Sequence, residues 1–543
     1  MISPTSLSPL LTRGFLLLGL VGTGACGPDP CPEGSARQKD GLCHLEDEGG
    51  GSGGDGMGEG GGDGTTGDSA DPLPSAFTIE TSTCAAPGAL GWTLLVPPTE
   101  LGEWSDTVFQ SIEAGGVAII PSGSGAIIIW EDYYAELHAL AVGDAELDPA
   151  DFPMISDSAA FTLLDLDQDG EDELLAFGGP DFTLFTDLPR SFAYETVTMP
   201  DGLGPRDISP AYIDDTEQID LFISFTHNES PPPSRVWHDP GIAFTGVAEE
   251  ISDPGAGWGR TFDTTLLDVN GDNRPDAYIC NDFGRETAPN AFYTNSGGDF
   301  VSASDPSGLG VVSNCMGSGW GDIDGDGLLD LALGDAERLW LLVNVPDFGF
   351  VDVTATSGMP NLDGHQMLWG LSITDLNNDG RNDLILPTSW FWDGDAEPWP
   401  LWIGLQNEDG TFTEAGASLG FPQEADTRTV VPFDLNGDGV LDLIVGDGQR
   451  SPWVFLSNGC TDGNWLELRG PEGTRVVVEA GGRSFVGLIT TEASFKSAKP
   501  RGTHIGLGDI DTVDSITWYP SWREPLTLEG PIPARSRIHW SGD

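Results

Sequence analysis

The chain has 543 residues, long enough for more than one domain, and 75 of them are Gly and 40 Pro. Lys+Arg number 22 against 87 Asp+Glu, a net charge of −65. This excludes nucleic acid as a partner, because phosphates would be repelled, and it makes bound cations valuable to any compact fold.

Residues 1–25 carry one positive charge, Arg13, then the apolar run Phe15-Leu-Leu-Leu-Gly-Leu-Val and Thr23-Gly-Ala-Cys26. This reads as a signal peptide, too short to span a membrane as a mature helix. It resembles a bacterial lipoprotein signal, which implies lipidation at Cys26 and a place on the outer membrane or cell surface. It departs from that pattern at Thr23, where Leu is usual. Cleavage after Ala25, giving a secreted protein, is the alternative.

Residues 26–75 form a Cys-bracketed piece, Cys31 to Cys43, and a run from Glu46 to Ser75 of almost only Gly, Asp, Glu, Ser and Thr. That run buries no core and is expected to be a disordered tether. Besides Cys26 there are six Cys, an even number that suits disulfides in an exported chain. The pairing expected is Cys31 with Cys43, Cys84 with Cys460 and Cys280 with Cys315, one of 15 connectivities.

Residues 76–460 hold a repeat. Asp322-Ile-Asp-Gly-Asp-Gly-Leu-Leu-Asp330 places carboxylates at positions 1, 3, 5 and 9 of a nine-residue loop. Hard cations such as Ca²⁺ take six to eight oxygen ligands, which such a loop can supply. The four positions recur as Asp165, Asp167, Asp169 and Glu173; as Asp268, Asn270, Asp272 and Asp276; as Asp375, Asn377, Asp379 and Asp383; and as Asp434, Asn436, Asp438 and Asp442. The position 7 carbonyls of Glu171, Arg274, Leu328, Arg381 and Val440 can add a further ligand. Position 6 is Gly in four loops and Asn273 in the fifth, the residues most tolerant of left-handed backbone.

An EF-hand would need Glu at position 12 and flanking helices. Position 12 is instead Ala176, Ile279, Leu333, Leu386 and Val445, and short apolar runs ending in Gly or Pro follow most loops. Each loop is therefore expected to be the turn of a β-hairpin. Asp-Gly turns join strands without metal, but a turn alone does not require an acid at position 9 five times. About five structural Ca²⁺ ions are expected.

The loops start at 165, 268, 322, 375 and 434, and the last four are 54, 53 and 59 apart. Tyr212 to Asp220 fills the long first gap in phase, but Tyr212 and Thr216 replace acids, so no metal is expected there. Ser111-Ile-Glu-Ala-Gly-Gly-Val117 is a more decayed copy. A period near 50 with several short strands indicates a propeller, here with seven blades expected.

These repeats resemble the FG-GAP/VCBS repeats of integrin α-subunit propellers and bacterial surface proteins. Asp276-Ala-Tyr-Ile-Cys-Asn-Asp-Phe-Gly284 is similar to a stretch of the cartilage acidic protein family. From Thr461 onward the balance is 9 Lys+Arg against 11 Asp+Glu, a composition shift that marks a domain boundary. Residues 461–543 read as a small β domain. Asn464-Trp-Leu-Glu-Leu-Arg-Gly470, His504-Ile-Gly-Leu-Gly508 and Val513 to Pro520 resemble the ASPIC/UnbV domain, although Ile505, Tyr519 and Trp522 depart from its pattern. The resemblance implies a calcium-binding adhesion or interaction module with a protein or glycan partner.

No HExxH, GxSxG or P-loop is present, the seven His are scattered, and the Asp loops have no open coordination position, so the chain is not expected to be an enzyme. The alternative is an enzyme, or an enzyme's accessory subunit, with a polar site at the propeller channel or at the junction with the C-terminal domain. Trp390, Phe391, Trp392, Trp399 and Trp402 are expected to pack between blades, with glycan stacking as the alternative. Asn228-Glu-Ser230 matches a glycosylation sequon.

Overall fold

The computed structural model describes residues 35–37, 43–45, 77–82, 91–96, 115–131, 137–143, 145, 158–199, 203–214, 216–226, 232–244, 246–251, 259–336, 338–346, 349–359, 366–390, 401–421, 426–448, 450–459, 461–521 and 523–541. The signal segment, Cys26, Cys31, Cys84, Cys460, residues 391–400 and the sequon lie outside them, as does the side chain of Cys43.

The described residues form an all-β protein with six four-stranded antiparallel blades. The first four run in chain order from Ser158–Leu164, Asp207–Ala211, Arg260–Leu267 and Cys315–Gly321 as inner strands. The fifth holds Ser372–Thr374, Asp383–Leu386, Trp402–Gln406 and Phe412–Glu414. The sixth holds Thr427–Phe433, Asp442–Asp447 and Trp453–Ser457 and takes its outer strand, Trp92–Val96, from the other end of the repeat region. Hydrogen bonds between the two ends of the repeat region thus complete the sixth blade.

Seven blades were expected, and six are present. The decayed copy near 111 gives a three-stranded meander, Val117–Ser122, Gly125–Glu131 and Leu137–Val142, and not a four-stranded blade. Its apolar faces pack against the sixth blade through Val117, Ile119, Val431 and Ile444, and against the first through Ile127, Ile129, Phe161 and Leu174. Its inner strand also pairs with the C-terminal sheet, Ala118 opposite Ala498. The decayed copy therefore does mark a β unit, but part of its pairing goes to another sheet.

Residues 464–540 contribute seven strands to an eleven-stranded sheet that also takes in the meander. Phe77–Thr81, placed at the start of the propeller by the sequence reading, pairs instead with Ser536–Trp540 of this sheet. Phe77, Trp518 and Trp540 share its core. One hairpin, Arg483–Glu492 with Ala498–Gly508, projects into the middle of the ring. At its tip Phe495 is buried against Trp369 and Phe262, with ring centroids 5.3 and 6.3 Å away. The Ser497 hydroxyl accepts from the Val117 N–H at 3.0 Å and meets the Thr429 hydroxyl at 3.0 Å, while Thr491 donates to the Leu163 carbonyl at 2.6 Å. These contacts come from different sectors of the ring, so the hairpin acts as an axial plug.

Cys280 and Cys315 are disulfide-bonded, as the sequence suggested, and join the second strand of the third blade to the first strand of the fourth. The bridge closes a loop with a sequence separation of 35. Loop-closure entropy predicts that removing it costs about 3–4 kcal/mol. Replacing both cysteines by Ser should lower the denaturation midpoint accordingly.

Candidate functional site

In each of the six blades the acid-rich loop is the turn between the inner and second strands. The residue before position 1 pairs with position 9: Leu164 with Glu173, Ala211 with Asp220, Leu267 with Asp276, Gly321 with Asp330, Thr374 with Asp383 and Phe433 with Asp442. All six loops consequently sit at one end of the blades.

Five loops share one hydrogen-bond frame. The position 6 N–H donates to Oδ2 of position 1: Gly170 to Asp165 at 3.1 Å, Asn273 to Asp268 at 3.0 Å, Gly327 to Asp322 at 3.0 Å, Gly380 to Asp375 at 2.7 Å and Gly439 to Asp434 at 2.7 Å. These position 6 residues have φ between +64° and +91°, which explains Gly four times and Asn273 once. The position 2 N–H donates to the acid at position 9, as from Ile323 to Asp330 at 2.7 Å and from Leu435 to Asp442 at 2.8 Å. The position 7 N–H donates to position 5, as from Leu328 to Asp326 at 2.9 Å. All sequence-predicted carboxylates are thereby brought to their own loops, four acids each at 165 and 322 and three each where position 3 is Asn.

The electrostatics of this arrangement favour a cation. Burial and the neighbouring acids push Glu173, Asp276 and Asp330 each up to about 8. Burial likewise raises Asp383 and Asp442 well above the carboxylate range. Packed carboxylates without a counter-charge cost several kcal/mol, which a divalent ion relieves. Two observations test the fit. The Oδ1 of Asp165 is buried with no hydrogen-bond partner. Ligand oxygens of Asp165, Asp167 and Glu173, and of Asp322, Asp324 and Asp330, lie within 4.8 Å of one another. A hard-oxygen donor set of this kind suits Ca²⁺.

The loop starting at Tyr212 keeps only part of the frame. Ile213 N–H donates to Asp220 at 3.0 Å and Thr216 N–H to Asp214 at 2.8 Å. A residue that the sequence reading did not single out joins it: His238 Nδ1 lies 3.4 Å from Asp214 and 3.3 Å from Asp220. The available signal was register. Asp239 N–H bonds the position 9 acid Asp220, as Asn295, Asn344, Gln406 and Ser457 bond theirs, so the preceding residue must lie beside the loop.

Between the plug and the inner strands lies a polar cavity of about 200 Å³. Asp207, Asp263, Glu492 and Lys499 line it. Burial and the Asp263 carboxylate push Asp207 up to about 7, against N–H bonds from Thr264 at 2.7 Å and Ile208 at 3.0 Å. Its folded value lies above the unfolded one of about 4, so the fold favours the protonated form and stability falls as pH rises from about 4 through 7. Asp207→Asn should raise the melting temperature at pH 8 and leave it nearly unchanged below pH 4, a gain on the order of a few kcal/mol.

His504 is neutral in this setting: burial holds it down at about 4, its Nε2 meets Asn378 Oδ1 at 2.7 Å, and it stacks on Trp465. It therefore joins the C-terminal sheet to the loop at Asp375. Trp402 is buried among Leu384, Leu386 and Phe412, which matches packing rather than a sugar platform at that residue.

With this geometry in view, the FG-GAP-like repeat family matches residues 268–333, 322–386 and 375–445. No curated protein sequence matches the chain. Among solved structures, a lectin of Agrocybe aegerita described as specifically recognising non-reducing terminal N-acetylglucosamine is similar at 18% identity and a TM-score of 0.38, over 63% of this chain and 94% of that one. The Vibrio cholerae biofilm matrix protein Bap1 is similar at 14% identity and a TM-score of 0.31, over 83% of this chain and 72% of that one.

Proposed function

We propose that the chain is a calcium-binding propeller that works outside the cytoplasm as a surface adhesion or interaction module. The single observation behind this is the frame repeated in five loops, each aligning three or four acids on a hairpin turn. The FG-GAP-like matches support the same reading. Asp165, Asp268, Asp322, Asp375 and Asp434, with the acids or Asn at positions 3, 5 and 9 of their loops, would hold the ions. Each ion offsets most of its loop's charge and fixes the hairpin, while the partner, a protein or a glycan, binds the surface so stiffened. Cys26 would carry a lipid and residues 46–75 would serve as the tether. The disulfide between Cys280 and Cys315 supports export to an oxidising compartment. The C-terminal sheet would correspond to an ASPIC/UnbV-like domain.

The test is retention of the full chain on panels of immobilised glycans and surface proteins, in Ca²⁺ and in chelator. Capture that requires Ca²⁺ supports the module. Capture equal in both conditions would contradict a calcium-stiffened binding surface. A second reading, a small polar ligand held in the axial cavity, is favoured by the carboxylates of Asp207, Asp263 and Glu492 around it. A melting shift caused by a small amine or sugar, and lost in Asp207→Asn, would support it.

A further inference from the structure

We infer that Arg475, Arg501 and Arg537 of the C-terminal sheet position the first carboxylate of three cation loops, so that docking of this sheet and loading of those loops are linked. This rests on the calcium reading of the loops given above.

The three arginines come from three strands, Thr474–Ala480, Ala498–Gly508 and Ser536–Trp540, and go to three blades. Arg475 Nε lies 3.4 Å from Asp268, Arg501 lies 3.6 Å from Asp165, and Arg537 lies 2.6 Å from Asp434. Each of these acids holds position 1, and each contact is to Oδ2, the oxygen that also accepts the position 6 N–H. The other oxygen is left to the loop. Asp165 Oδ1 is buried and unpartnered, while Asp268 Oδ1 and Asp434 Oδ1 meet only N–H groups of their own loops. The guanidinium and the loop cation would thus use opposite oxygens of one carboxylate and need not compete.

The C-terminal sheet fixes two of the arginines independently. Arg475 lies over the Tyr519 ring at 4.3 Å. Arg537 lies over Trp465 at 5.1 Å and binds Glu467 at 2.7 Å. Arg501 differs: its second partner, Asp172 at 2.9 Å, belongs to the same first-blade loop as Asp165. A planar fork held on a rigid face suits the orienting of a carboxylate. Charge points the same way. The loops at 268 and 434 have three acids, so a divalent ion leaves one negative charge for one guanidinium.

Two loops serve as internal controls. At 375 the C-terminal sheet brings no guanidinium to the position 1 acid: Arg483 donates to the Gly380 carbonyl at 2.6 Å, His504 meets Asn378, and the Gly506 backbone lies against the Asp375 carboxylate. At 322 the neighbour is Ser484, whose hydroxyl lies 3.9 Å from where a Cβ on Gly327 would stand. Among the described residues neither Asp322 nor Asp375 has an arginine ion pair.

Loss of an outer partner of a ligating carboxylate typically costs about 10–100-fold in metal affinity. The experiment is native mass spectrometry of the full chain across free Ca²⁺ concentrations, for wild type and for Arg475→Gln, Arg501→Gln and Arg537→Gln. Each variant should need about 10-fold more Ca²⁺ to acquire its last ion, with the other ions unchanged. Arg338→Gln, which removes a pair with Asp352 away from any loop, should bind as wild type. Hydrogen exchange in residues 474–508 should rise when wild type is chelated. Where a Gln variant fails to fold, the Lys variant, keeping charge but not the fork, should fold and bind at intermediate Ca²⁺. Five ions in wild type, with the folded variants acquiring their last ion at the same Ca²⁺ concentration as wild type, would overturn the inference alone. No ion in wild type would overturn it together with the calcium reading.

Discussion

Chelation of Ca²⁺ is expected to lower the melting temperature of the full chain by on the order of 10 °C at neutral pH, from the following magnitudes. A site whose free ligand stands 100-fold above Kd contributes about 2.7 kcal/mol to the folded state. Five such sites contribute on the order of 10 kcal/mol. Unfolding entropy near 2.1 cal/mol/K per residue gives about 1 kcal/mol/K for a folded body of this size, hence the shift. The physical source is in the loops: 17 acids stand at positions 1, 3, 5 and 9 of five short turns, and burial raises the position 9 acids most. Adding back Ca²⁺ should restore the melt, whereas Mg²⁺ should do so weakly because it demands a tighter octahedron and keeps its waters. A melt that does not move in chelator would leave the loops as plain hairpin turns.

Gly439→Ala should be among the most damaging single substitutions, by about 3 kcal/mol or more, and Gly327→Ala at the same loop position should cost only about 1–2 kcal/mol. Both glycines have left-handed φ, +85° at Gly439 and +87° at Gly327, so the backbone strain is equal. The surroundings differ. A Cβ on Gly439 would stand 2.0 Å from the Trp465 ring, a nearly fully buried side chain of the C-terminal sheet. Beside Gly327 the nearest atom is the Ser484 hydroxyl at 3.9 Å. Chemical denaturation of the two variants separates loop strain from loss of docking. Equal losses would mean that the contact between Trp465 and the sixth-blade loop carries little of the docking energy.

Much of this molecule was legible in the sequence because one period carries both its packing and its chemistry. The acid at position 9 is also the first residue of the second strand, so locating the loops located the hairpins. Asn273 could be assigned to position 6 from backbone tolerance alone, and its φ of +64° agrees. The Cys280–Cys315 pair followed from an even count, but only the fold brings the third and fourth blades together at that point.

What sequence could not supply is partner choice between distant segments. Nothing local in Phe77–Thr81 distinguishes a blade strand from an edge strand of the C-terminal sheet, to which it belongs. The short apolar runs of Val117–Val142 are equally compatible with a blade or with a meander that shares its inner strand with the plug. His238 was missed because its relation to Asp214 and Asp220 crosses a strand and not a loop. The arginines of residues 464–540 were read only as a composition shift, although three of them end on first-position acids of the repeat.

The most direct test of the central claim is a calorimetric titration of the metal-free full chain with Ca²⁺. The account predicts saturation near five ions, with the count falling to four when Asp442 is replaced by Asn, because that acid completes one loop and is buried within it. No binding heat, or a count that Asp442→Asn leaves unchanged, would contradict it.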